Sequence, residues 1–157
     1  MYKIGIVGHG ADKFTYESKR LADKVIRDII AKTTERIGGD ICIVSGHSPV
    51  GGIDIWAEEI ANEYNLATDI KTPKQHTWDG EYGYKARNLD IARCSNEVHV
   101  ILVDKLPPGY KGMQFKTCYH CAKHPEMKKE HVKSGGCWTG WKAYEMGKHL
   151  KFHIIKQ

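Results

Sequence analysis

Long hydrophobic runs are what this 157-residue sequence most plainly lacks. No stretch approaches the ~18 apolar residues that cross a membrane, so no membrane partner is expected. The opening residues, MYKIGIVGHG, hold one lysine and a short apolar run. They lack the longer apolar core and small-residue cleavage site of a secretory signal, which points to the cytoplasm. There is no internal repeat, low-complexity tract or convincing linker, so one domain is expected over 1–157. Cysteine is sparse: Cys42, Cys94, Cys118, Cys121 and Cys137. In a reducing compartment these five are not expected to form a disulfide framework. Strong charge is lacking too. A net charge of +5 suits an anionic ligand or nucleic acid, but Lys-rich surface helices give the same value.

What is present is an alternation of short β-branched runs and amphipathic segments. YKIGIVG (2–8), DICIVSG (40–46), LATDIKTP (66–73), EVHVILVD (97–104) and LKFHIIK (150–156) read as strands. Between them, residues 15–37, a segment from Ile53 and residues 82–95 carry helical spacing, and a last helix is expected near Cys137. The order implies an α/β, Rossmann-like fold: a mostly parallel five-stranded sheet with helices on both faces. A small insertion, about 107–136, is expected before the last helix. In such sheets ligands bind at the carboxyl ends of strands, where strand order reverses.

Glycine-rich segments fall at those ends: Gly8-His9-Gly10, SGHSPVGGID (45–54) and Ser134-Gly135-Gly136. Glycine lets backbone N–H groups approach an anion, and a following helix N-terminus adds partial positive charge. For a single such loop, a tight turn without ligand is an equal alternative. Three segments also resemble a known family. IVSGHSPVGGIDIWAEEIANEY resembles the SGG-x-x-G-hydrophobic-D-x-x-A signature of the SLOG superfamily, which includes the Lonely Guy phosphoribohydrolases, the Rossmann-like domain of DNA-processing protein A and YpsA-like proteins. YKARNLDIARCSNEVHVILV and SGGCWTGWKAYEMGKHLKFHII resemble the family's Arg-Asn helix and its final glycine turn, helix and strand. The resemblance covers nearly all the chain except residues 105–133.

The resemblance implies binding of a nucleotide or nucleotide derivative. Ser45, Gly46, Gly51, Gly52 and Asp54 would form one phosphate or ribose loop; Gly8, His9 and His47, which lie in the glycine segments themselves, are further candidate ligand-binding residues. Ser134, Gly135, Gly136 and Thr139 would form the second, and Arg87 and Asn88 would reach into the cleft. Two departures stand out. His47 occupies a position where the family has glycine, in a longer loop. Trp141 and Lys142 stand where Lonely Guy enzymes carry catalytic glutamates. An oxocarbenium-like transition state needs a nearby carboxylate, and lysine supplies none. Binding or sensing is therefore the first reading and N-glycosidic hydrolysis or transfer the alternative.

Residues 118–137 concentrate cysteine and histidine. Cys118 and Cys121 form a C-x2-C pair, the spacing of a zinc knuckle. Cys137 is the obvious third ligand, and His131 is preferred to His124 as the fourth, giving C-x2-C-x9-H-x5-C. A redox pair is the rival reading. Four protein ligands would close the site and make the zinc structural. Because Cys137 directly follows Gly135-Gly136, the metal would order the second glycine loop. Partners expected are a nucleotide-like small molecule, then single-stranded nucleic acid. A homo-oligomer is left open.

Overall fold

The computed structural model describes residues 1–127 and 129–157. Five strands, β1 (Tyr2–Gly8), β2 (Ile41–Ser45), β3 (Ala67–Ile70), β4 (Glu97–Val103) and β5 (His149–Ile155), form one sheet in the order β3-β2-β1-β4-β5. Every pairing is parallel, so the sheet is wholly rather than mostly parallel. The helices are α1 (Tyr16–Ile37), α2 (Ile53–Glu63), α3 (Tyr84–Cys94) and α4 (Gly135–Glu145), with a 3-10 turn at Ala11–Lys13. The fold is α/β and Rossmann-like.

Strands covered on both faces read as continuous apolar runs. All seven residues of β4 and all five of β2 are buried. Side chains alternate between two cores. Ile4, Ile6, Ile41, Ile43 and Ile101 meet Ile26 and Ile30 of α1 and Ile53, Ala57 and Ile60 of α2. Val7, Val44, Val98, Val100 and Leu102 meet Ile91 and Ala92 of α3 and Trp141 and Ala143 of α4. Burying one such aliphatic side chain contributes about 1.5–3 kcal/mol, so these two layers dominate the fold's stability.

Local signals set the helix ends. Thr15 and Ser18 form a capping box: Ser18 N–H donates to Thr15 Oγ1 (3.1 Å) and Thr15 N–H to Ser18 Oγ (2.8 Å). Gly38, at φ 66°, ends α1 in the left-handed conformation that glycine adopts without steric cost. The last helix begins at Gly135, two residues before Cys137, because Ser134 Oγ accepts from Gly136 N–H (3.1 Å) and caps the helix there.

Successive strands β1, β2 and β3 step outward in one direction. The chain then returns across the sheet to place β4 on the other side of β1. The reversal lies between β1 and β4, beside Gly8. Residues 104–134, between β4 and α4, contain no helix or strand among the described residues. No helix among them is long and apolar enough to cross a membrane.

Candidate metal centre and glycine-lined cleft

Cys118, Cys121, His131 and Cys137 come together at the end of α4. Each offers one ligand atom, and all four atoms lie within 4.8 Å of one another. A tight turn sets the first pair, with Cys121 and Ala122 N–H groups donating to Cys118 O (3.1 and 3.0 Å). Cys137 comes from the first turn of α4 and is wholly buried. Trp141 Nε1–H donates to Cys121 Sγ (3.4 Å). His131 Nδ1 lies 2.8 Å from Val132 O; a proton there leaves Nε2 as the free lone pair. His124 does not join them. Its ring stacks on Trp141, with centroids 3.5 Å apart and planes at 6°.

Crowding shows in the thiols' acidity. Donation from Cys121, then from Cys137, holds Cys118 far below the usual thiol range. The shared charge on Cys118 pushes Cys121 up to about 11 and raises Cys137 as well. Three thiols in one buried spot compete for one negative charge; a divalent cation lets all three ionise.

The first and third glycine segments meet at the strand-order reversal. Gly136 packs against Gly8 so closely that a Cβ on Gly136 would stand 3.1 Å from Gly8 N. Gly52, at φ 87° and ψ −144°, presses against the His9–Ala11 backbone, where a side chain would strike His9 O. Ile53 N–H donates to that same oxygen (3.1 Å). A cavity of about 320 Å³ opens there, lined by Gly8, Gly10, Lys13, Tyr110, Lys133 and Gly135 among others. Lys13 Nζ lies 4.8 Å from the Tyr110 ring centre. Sequence reasoning missed Lys13, Lys133 and Tyr110, since lysines in a polar segment read as surface.

His9 is buried and its ring is fully committed. Nδ1 accepts from Val103 N–H (3.1 Å), which places the proton on Nε2, facing Val132 O (3.0 Å) and Lys133 O (3.1 Å). Burial pushes its pKa down to about 4, so it is neutral at pH 7. It staples strand ends to the end of the 104–134 segment and has no nitrogen left for a ligand. Gly136 N–H is likewise taken by Ser134 Oγ, leaving Gly135 as the glycine of that pair whose N–H has no such partner among the described residues. Thr139 is buried, with Oγ1 3.5 Å from Gly135 O along its own helix.

The second glycine segment forms a separate knot at the end of β2. Arg87 donates from Nη1 to Gly46 O and from Nε to Asn88 Oδ1 (2.7 Å). Asp54 Oδ2 accepts from Ser48 N–H (3.1 Å). Burial pushes the Asp54 carboxyl up to about 6, although the Arg87 charge pulls the other way. Gly51, at φ 75°, closes the loop by donating to Ser48 O (3.0 Å). Glu58 was not anticipated from sequence. It accepts from Ser45 Oγ on Oε1 (2.7 Å), while its Oε2 faces His47 Nδ1 (2.8 Å). Its place one turn after Asp54 on α2 was the available signal. His47 holds φ 49°, a conformation glycine adopts without strain.

An aromatic pair completes this edge. Trp78 meets Trp138 of α4 edge-to-face, 5.0 Å between centres. Trp78 and Thr77 also give their carbonyls to Lys85 and Tyr84 N–H (3.0 and 2.8 Å), satisfying the start of α3.

No family model, curated protein or solved structure matches this chain.

Proposed function

We propose that the chain binds a nucleotide or nucleotide derivative in the cleft beside Gly8, and that a structural zinc ion in the Cys118, Cys121, His131 and Cys137 centre orders one wall of that cleft. One observation carries the binding reading. At the reversal of strand order, glycine backbone, a helix N-terminus, two lysines and an aromatic ring line one cavity. A phosphate suits the α4 N-terminus and Lys13, and a flat base suits Tyr110. The cavity of about 320 Å³ matches the low end of the ~300–1,000 Å³ range of ligand sites, which favours a mononucleotide over a dinucleotide. Calorimetry with adenosine 5′-monophosphate, adenosine and inorganic phosphate tests it. The monophosphate binds best, and Lys13→Ala weakens it by about 1.5–3 kcal/mol, the scale of a hydrogen bond to a charged group. Failure of all three probes to bind refutes the reading.

Zinc is favoured by the ligand set. Sulfurs sharing a tetrahedral zinc at ~2.3 Å stand about 3.8 Å apart, within the spread found here. Trp141 donating to Cys121, and His131 donating to Val132 O, supply the outer hydrogen bonds that fix thiolate and imidazole. Four protein ligands leave no position for a reacting water. Metal analysis of untagged protein prepared without chelator should give one zinc per chain, abolished by Cys118→Ser. A cytoplasmic location belongs to the same proposal, since free thiols and a zinc–thiolate centre suit a reducing compartment.

Single-stranded nucleic acid is the second reading, supported by where the charge lies. Residues 104–134 carry seven lysines against three carboxylates, four of the chain's five net positive charges. Phe115 and Tyr119 are exposed there, with Lys133 Nζ 4.7 and 5.2 Å from their ring centres. Oligonucleotide affinity that falls steeply with salt, and falls further in Tyr119→Ala, favours this reading.

A further inference from the structure

A second cavity lies at the opposite end of the sheet. It occupies about 580 Å³ between α1 and the first residues of β4 and β5. No helix of the glycine-lined cleft borders it. Three histidines, His99, His149 and His153, line it together with Glu97 and Asp28. Strand register explains the meeting. Glu97 pairs with His149, His99 with Lys151 and Ile101 with His153, so all three histidines point to the α1 face of the sheet.

The arrangement of His99 is unusual for a core strand. Its Nε2 faces Glu97 Oε1 at 3.4 Å. Glu97 is itself fixed, accepting from Arg36 Nη2 on both oxygens (3.0 and 2.9 Å) and from Thr33 Oγ1 (3.2 Å). A proton on His99 Nε2, on the side of this carboxylate, leaves Nδ1 with a lone pair. That lone pair stands 2.9 Å from Nε2 of His153, whose ring lies at 23° to its own. Arg36, Glu97 and His99 thus form the outer scaffold that metal-binding imidazoles use: a carboxylate fixes the tautomer and the opposite nitrogen does the ligating.

We infer that His99 Nδ1 and His153 Nε2 form a second metal site, independent of the cysteine centre, for a divalent ion such as nickel or copper. Metal–nitrogen bonds of ~2.0–2.1 Å to two nitrogens 2.9 Å apart subtend about 90° at the metal. A right angle is the cis angle of a tetragonal or octahedral centre, the geometry of nitrogen- and oxygen-ligated nickel and copper. Tetrahedral zinc wants a wider angle. The cysteine centre selects the opposite way, by soft thiolates, so the two sites divide metals between them. Asp28 and His149 line the same cavity, and water completes the shell. In the metal-free state His153 carries its proton on Nε2 and donates it to His99. On metal binding that proton moves to His153 Nδ1, so the exchange needs no net proton release.

The test uses full-length, untagged protein with its cysteine centre filled by zinc, titrated with nickel at pH 7.5. One nickel ion binds in addition to the zinc, as read by calorimetry and native mass spectrometry. His153→Gln weakens it at least tenfold, whereas His76→Gln, at an exposed histidine in the loop before α3, leaves it unchanged. The same titration followed by nuclear magnetic resonance of the unaltered protein needs no variant: paramagnetic nickel broadens the ring signals of His99 and His153 first. Nickel that fails to bind, binds equally to His153→Gln, or broadens other histidines first overturns the site and leaves the pair as a cross-strand hydrogen bond.

Discussion

A single carbonyl oxygen, that of Val132, faces two imidazoles, His9 Nε2 at 3.0 Å and His131 Nδ1 at 2.8 Å. One ring belongs to the candidate metal centre and the other to the end of β1. Protonating His9 requires a second N–H where Val103 N–H already donates, so its folded pKa falls to about 4 by burial. The unfolded chain takes up that proton near pH 6.5. Stability contributed by neutral His9 is therefore complete above about pH 6.5 and is lost as pH falls toward 4, about 3 kcal/mol in all. His9→Gln should show a shallower acid limb than the unaltered protein in urea titrations between pH 7.5 and 4.5. Arg87 makes a comparable case. Its partners Gly46 O and Asn88 Oδ1, and the buried Asp54 beside it, lose a cation together in Arg87→Ala. Thermal melts should register about 1–3 kcal/mol of lost stability. The Cys118, Cys121 and Cys137 set was legible because ligand spacing along the chain is local chemistry. The role of His9 was not, because its carbonyl partners lie more than 120 residues away.

Among the elements, strands were the easiest to read. Burial on both faces favours Ile- and Val-rich stretches, and Ile4–Val7, Ile41–Val44 and Val100–Val103 supply them. The start of α4 was legible to within two residues; the Ser134 cap that includes both glycines in the helix is a side-chain event. Glu58 was passed over because Glu58-Glu59 within a helix looks like a solvated face; only the fold turns one of the two inward. The entry to α2 offers the sharpest test. Gly52 combines φ 87° and ψ −144°, a region essentially closed to other residues, with direct contact on the His9–Ala11 backbone. Gly52→Ala should cost at least about 2 kcal/mol and displace the β1–Ala11 turn, which amide chemical shifts would report. Gly39, with open space around it, is the control: Gly39→Ala should change stability little.

For the molecule as a whole, the metal centre and the cleft share a wall. Cys137 lies one residue after Gly136, and His131 two before Lys133, so under the proposed function a bound metal ties down both flanks of the cavity. Reordering freed backbone costs roughly 1–2 kcal/mol per residue. Stripping the metal should weaken adenosine monophosphate binding at least tenfold, and saturating nucleotide should slow metal loss to a chelator by the same coupling. Equal chelation rates with and without nucleotide would mean the two sites are energetically separate.

The contact of Gly136 with Gly8 also sets a clock on synthesis. Its two halves are 128 residues apart, and the centre's last thiol, Cys137, follows immediately. A ribosome extends the chain at about 5–20 residues per second, so several seconds separate the emergence of the two sides. Until α4 arrives, Cys118 and Cys121 stand exposed to oxidation and to stray metal, and the edge of β4 waits for β5. The nascent chain thus completes its cleft, its Cys/His cluster and its closed sheet in one late step, and under the proposed function that is the step at which metal enters.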